Sequence, residues 1–208
     1  LGLVDLAGAF EDVTALVALE PQREEHTDQL AELAQKLDRH ARFADVLVAA
    51  AEGAASRSDQ SRLIARAAVV TRDRLNDPGS AIDLLTRVLG LAQDDPERLL
   101  ATARELEPLL NVAGMDGERC SVLEAIARLE RDPAARREAF GQVARIAADL
   151  LHDAPRGVAA WRARLADDPA DREALDGLAA VLEGAGRYAE LIEVLERRAE
   201  IAERAQAK

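Results

Sequence analysis

The stretch GRYAELIEVLERRAEIA, Gly186 to Ala202, has a weaker copy, ARFADVLVAAAEGAASR, beginning at Ala41. Aligning Arg42 with Arg187 and Phe43 with Tyr188 also superimposes Leu30 on Leu175, Leu33 on Leu178, Ala34 on Ala179 and Leu37 on Leu182. These upstream matches fall three and four residues apart, the spacing of one face of an amphipathic helix. Breaks at HARF and GAGRY mark a turn before a second helix, so the repeated element is a helical hairpin. Repetition constrains the fold more than any other feature of the chain, because one hairpin cannot bury both of its apolar faces and has to stack on its neighbours.

Three more hairpins lie between these copies. Their first helices carry Ile64, Ala67, Ala68 and Thr71, then Ala103, Leu106 and Leu110, then Phe140, Val143, Ala144 and Ala147. Their second helices carry Leu85 and Leu89, Leu123 and Ala127, and Trp161 and Leu165, in register with Ala50 and Ala54 early and with Leu195 and Ala199 late. The period is 34 to 39 residues, and GAFEDV (Gly8 to Val13) matches GRYAEL, which adds a truncated opening element. The predicted array covers 1–208, with a truncated unit over 1–22 and full hairpins over 23–57, 58–95, 96–131, 132–169 and 170–205. NDPGS, GMDG, HDAPRG and GAGR punctuate the hairpins internally. QDDPE, ERDPA and DDPAD separate them, with Asp before Pro expected as helix cap and first helical residue.

Composition agrees with an all-α chain. Hydrophobic residues make up 49% but aromatics only 2%, so Ala, Leu and Val must do the packing, and Ala, Leu, Arg and Glu are strong helix formers.

The period near 34, the small residue after the apolar one in the first helix (Ala34, Ala68, Ala144, Ala179) and the closing LADDP (Leu165 to Pro169) resemble the tetratricopeptide repeat (TPR) over nearly the whole chain. The resemblance implies a right-handed α-solenoid of stacked antiparallel helix pairs, about five full ones plus the truncated first. It also implies a non-catalytic scaffold whose concave face, lined by first helices, receives a peptide or partner protein. The chain departs from the family where Leu37, Thr71, Leu110, Ala147 and Leu182 stand in place of an aromatic, and where Glu107 takes the small position. Pro108 follows inside a first helix and is expected to kink or split it, at a local cost of ~3 kcal/mol.

Carried over from the family, the groove positions are Asp28, Glu32 and Gln35, then Arg62, Arg66 and Val69, then Arg104 and Glu105, then Glu138, Gln142 and Arg145, and finally Glu173 and Asp176. Of these, Gln35, Arg62, Arg66, Arg104, Gln142 and Arg145 are the partner-binding candidates. The four arginines are expected to converge into a basic strip that takes an acidic or phosphorylated peptide. The competing expectation is that each pairs with a neighbouring carboxylate, for ~0–1 kcal/mol and no ligand. The family subtype that clamps a C-terminal carboxylate relies on Lys and Asn in the groove. This chain lacks both at most of those positions, so that subtype is not expected.

A net charge of −12 disfavours nucleic acid and anionic membrane surfaces. No apolar run approaches the ~18–20 residues of a membrane span, so no membrane insertion is expected. A lone Cys120 makes no intramolecular disulfide and fits a reducing compartment, so a cytoplasmic location is expected. His26, His40 and His152 are scattered, and no zinc spacing is present. Lys36 and Lys208, the only lysines, follow no glycine-rich loop. Asp94 with Asp95 and Asp167 with Asp168 occupy equivalent inter-repeat turns, where capping is the expected role. Cys120 and Trp161 align with core positions. No enzyme activity and no cofactor are expected. The opening LGLVDLAGAFED reads as a piece of a longer chain, so Val4, Leu6, Val13, Val194 and Ile201 are expected to be exposed at the cut ends. The alternative functions are a structural spacer within a longer repeat protein, or a regulatory region attached to an enzyme.

Overall fold

The computed structural model describes residues 5–206, and among them every regular element is an α-helix. Helix α1 (Leu6–Leu19) comes first, alone. Ten helices follow, joined two by two through short turns: α2 (Glu24–Leu37) to α3 (His40–Gly53), α4 (Arg57–Asp73) to α5 (Pro78–Leu91), α6 (Pro96–Ala113) to α7 (Asp116–Leu129), α8 (Pro133–Asp149) to α9 (Ala154–Asp167), and α10 (Arg172–Gly184) to α11 (Tyr188–Gln206).

The same turn joins the two helices of every pair. Asp38, Asn76, Gly114, His152 and Gly186 each take a left-handed conformation, with φ of 54°, 53°, 68°, 53° and 67°. In each case the next residue's N–H turns back to a carbonyl of the first helix: Arg39 to Ala34, Asp77 to Thr71, Met115 to Leu110, Asp153 to Ala147 and Arg187 to Leu182. This satisfies carbonyls that a helix end otherwise leaves open. Asp, Asn and His tolerate positive φ better than most side chains, which is why three of the five turns work without glycine.

Several helix starts are set by carboxylates. Asp77 and Asp132, each before a proline, accept the N–H groups of Ser80 and of Ala134 and Ala135. Asp95 accepts from Arg98, and Asp153 from Arg156. DDPAD departs from the expected pattern. There Asp168 ends α9, and Asp171, two residues past the proline, caps α10 by accepting from Ala174.

The chain divides into two compact units, one ending at Leu109 and the other beginning at Leu110, inside α6. In the first, α1 packs on α2 and α3, α3 on α4, and α4 on α5. Phe10, Leu30, Leu47 and Leu63 are sealed in its core. In the second, α8 packs on α7, α9 and α10, and α10 on α9 and α11, around Val143, Trp161, Leu175 and Leu182. A Cβ on Gly177 would stand 2.4 Å from the Trp161 ring, so this glycine lets α10 close over the indole.

Two expectations need correction. Pro108 does not split α6, which runs unbroken from Pro96 to Ala113 with the ring on its exposed side. One lost backbone bond there does not end the helix. At the ends, Val13 is buried with Phe10 and Val17, and Leu6, Val194 and Ile201 are half-buried. The exposed apolar residues are instead Leu16, Leu19, Tyr188, Ile192 and Leu195. Val4 lies outside the described residues.

Candidate partner-binding face

In the first unit, Ser56 caps α4 by accepting from the Asp59 N–H. Leu63, Ile64, Ala67, Ala68 and Thr71 turn into the core, so Arg62 and Arg66 emerge one turn apart on the flank facing α2. Arg62 donates to the Pro21 carbonyl at 2.6 Å and lies 3.5 Å from Glu24 and 3.4 Å from Asp59. Arg66 donates to Asp28 at 2.6 Å and to the buried Thr27 hydroxyl at 3.0 Å, and its guanidinium stands 5.6 Å from the Phe43 ring centroid. Gln35 is exposed further along α2. On α6, Arg104 is exposed and engaged by neighbours, while its neighbour Glu105 receives Arg72 of α4 at 3.7 Å.

In the second unit, Gln142 and Arg145 of α8 share the Glu138 carboxylate, at 3.1 and 3.3 Å. Arg145 also reaches Glu173 at the start of α10. The other oxygen of Glu173 accepts from Arg164 at 2.6 Å, and Arg164 binds Asp171 through Nε at 2.8 Å. Glu173 is therefore held between two guanidinium groups. Arg164 was not among the sequence candidates. It rises from α9 and is buried, 5.7 Å from the Trp161 ring centroid, with its Nη1 group sealed without an acceptor. The signal for it was weak: a basic residue beside the apolar pair Trp161 and Leu165, followed by Asp171 and Glu173. An ideal Cβ on Gly141 would meet Nη1 at 2.4 Å, so glycine is what admits the guanidinium against α8. Burial opposes charge on Asp171, but hydrogen bonds from Arg164 and the Ala174 N–H prevail and hold its carboxyl below the ordinary aspartate range.

Of the Asp167 and Asp168 pair, expected as caps, Asp168 accepts the Ala170 N–H in the turn at 3.0 Å, and both residues also tie α9 to the start of α8. Arg136 grips Asp167 with two 2.7 Å bonds, and Arg137 donates to Asp168 at 2.8 Å. The Arg136 hydrogen bond holds the Asp167 carboxyl below its usual range. Cys120 is fully buried, its thiol 3.7 Å from the Val143 carbonyl and pushed up by burial, as a core position requires. His26 lies 3.7 Å from Glu20, His40 3.7 Å from Asp38, and His152 forms a left-handed turn. Among the described residues no group of three or more His, Cys, Asp or Glu side chains could hold a metal ion. None of the described helices is long and apolar enough to cross a membrane.

The first-helix surfaces therefore present guanidinium groups held by carboxylates of neighbouring elements. In the first unit acidic α2 faces basic α4, and in the second basic α8 faces acidic α10.

No protein-family model matches the sequence, and no curated protein matches it. Solved structures with a similar course include BtubC (BKLC) from P. vanneervenii, at 16% identity and TM-score 0.45, with 98% of this chain and 90% of that chain covered. MamA is similar at 12% identity and TM-score 0.45, with 99% and 96% covered. A putative kinesin light chain from Podosopora anserina, described as having nearly identical TPR-like repeats, is similar at 18% identity and TM-score 0.44, with 90% and 99% covered. By its own helix pairing and its recurring hairpin turn, the chain has a TPR-like, all-α fold built from successive helical hairpins.

Proposed function

We propose that the protein is a non-catalytic scaffold that binds a peptide or partner protein on the surfaces its first helices form within each unit. Gln35, Arg62, Arg66 and Arg104 contribute in the first unit, Gln142 and Arg145 in the second. The observation that supports this most is that guanidinium groups on these surfaces are held by carboxylates which themselves remain open to solvent, Arg66 by Asp28 and Arg145 by Glu138 and Glu173. Each exposed pair is worth ~0–1 kcal/mol, so an incoming carboxylate or phosphate replaces the internal partner at small net cost. The planar guanidinium fork suits either group. An acidic ligand and an affinity that falls with salt follow from this exchange.

A second reading, a structural spacer, has an observation of its own. Arg62, Arg66 and Arg145 are all satisfied internally and tie adjacent helices together. Affinity capture with the whole chain separates the two readings. A partner retained by the native chain is expected to be lost when Arg62, Arg66, Arg104 and Arg145 are changed to Glu, with Arg→Gln variants and circular dichroism controlling for folding. Unchanged retention by a folded variant refutes the first-helix site and moves the spacer reading ahead.

A further inference from the structure

Glu173 and Glu190 each sit between two guanidinium groups, Glu173 between Arg145 and Arg164 and Glu190 between Arg162 and Arg187. At Glu190 both arginine side chains are partly exposed, 50% and 37%. At Glu173 only Arg145 is, at 40%, while the Arg164 side chain is nine-tenths buried. Arg164 binds Asp171 through Nε and Glu173 through Nη2, and its Nη1 has no acceptor among the described residues. Sealing a charged donor without a partner is costly, and native structures rarely do it. Nη1 is turned towards Gly141 of α8, 2.4 Å from where a Cβ would stand, and Nη1 and Nη2 of Arg145 lie 3.4 and 3.6 Å from the same point. Two guanidinium groups from different helices therefore converge on one glycine.

We propose that Arg145 and Arg164 form a binding site for a phosphate monoester, carried by the partner of the first-helix reading on which this inference rests, and that Glu173 fills the site until the phosphate displaces it. The donors select phosphate over carboxylate. Glu173 uses one oxygen on Arg145 and the other on Nη2 of Arg164, and Nη1 is left over. A phosphate monoester brings three terminal oxygens and about two negative charges, so it engages the same two donors and Nη1 besides.

Glu173 is free to leave and Arg164 is not. The Glu173 side chain is half exposed on the first turn of α10, so water receives its carboxylate. Arg164 stays pinned by Asp171, which caps α10 by accepting from Ala174, and the buried guanidinium is paired throughout the exchange. With Glu173 turned out, Arg137, Arg145 and Arg164 balance Asp168, Glu138 and Asp171 around the site. The amino end of α10 adds its partial positive charge.

The test titrates the whole chain, nitrogen-15 labelled at arginine, with phenyl phosphate at fixed ionic strength, and reads the arginine Nε–H resonances. The Arg145 and Arg164 signals are expected to shift saturably while those of Arg162 and Arg187 stay in place. Glu173→Gln keeps the shape of the internal occupant without its charge and should tighten binding about tenfold. Adding Arg145→Gln should reverse that gain. Benzoate, with two oxygens, should bind about tenfold more weakly than phenyl phosphate. Both substituted side chains are partly exposed, and an unchanged circular dichroism spectrum verifies folding. Absence of a saturable shift in both the native chain and Glu173→Gln overturns the proposal, as does equal affinity in the two. Benzoate binding as tightly as phenyl phosphate overturns it by removing the preference for phosphate, and an equal shift at Arg162 and Arg187 does so by reducing the binding to general surface charge. Any of these failures can stand beside a partner that the native chain captures and the four-arginine Glu variant loses, so the first-helix reading fails or survives separately.

Discussion

The two compact units use arginine at different depths. In the first, Arg66 comes from the first helix α4 and reaches sideways to Asp28 from a partly exposed flank. In the second, Arg164 comes from the second helix α9 and lies buried, bound to Asp171 and Glu173 of α10, with one nitrogen lacking any acceptor. A rim pair can be made or broken with little consequence, because water replaces either partner. A buried pair is a commitment: its desolvation is recovered only while every partner stays in place. The second unit made room for that commitment with Gly141 and Gly177, one under Arg164 and the other under Trp161.

The largest effect that tests this contrast is at Arg164. Arg164→Ala is expected to destabilise the chain by about 3 kcal/mol, because it strands the nearly buried Asp171 carboxylate. Gly141→Ala sharpens the point. In the native background the new methyl displaces the guanidinium and offsets the helix-propensity gain, so stability falls. In the Arg164→Ala background the clash is gone, and the same change should stabilise by about 1 kcal/mol. Urea unfolding of the four proteins of this cycle measures the sign change. A Gly141→Ala effect of the same sign in both backgrounds means that the buried guanidinium does not depend on the glycine.

Acid should expose the same contrast at intermediate size. The carboxyls of Asp167 and Asp171 titrate lower in the folded chain than in the unfolded one. Their contribution is therefore complete above the ordinary aspartate value of about 3.9 and drains away as pH falls through the lower folded values. Stability measured from pH 5 downward should decline, and Arg136→Gln should flatten that decline by returning Asp167 towards its ordinary value. A decline of the same steepness in the variant excludes this pair as its source. The smallest effect is expected at the rim. Arg66→Gln removes the Asp28 pair and the contact over Phe43, and should cost only about 0.5–1 kcal/mol by thermal denaturation. A loss as large as that of Arg164→Ala erases the distinction between rim and core.

Helix order, the hairpin turns and most of the core were legible in the sequence, because they follow from spacing along one chain. Apolar residues three and four apart have to share a helix face, and Asp beside a helix start caps it, as Asp77 and Asp132 do. Even the turn residues Gly114 and Gly186 announce their positive φ. Spacing does not encode what lies opposite a face. Ile192 and Leu47 occupy the same place in the same pattern, and only the presence of α4 makes one core and leaves the other bare. Arg62, Arg66, Arg104 and Arg145 fall on first helices as the spacing predicts, but of their partners Thr27, Asp28 and Glu173 come from other helices. Arg164 was not singled out by the sequence, and only the close approach of α8 and α10 made it a buried charge. Burial, and the pairing of charges that burial demands, are properties of two surfaces meeting, and only the tertiary structure brings those surfaces together.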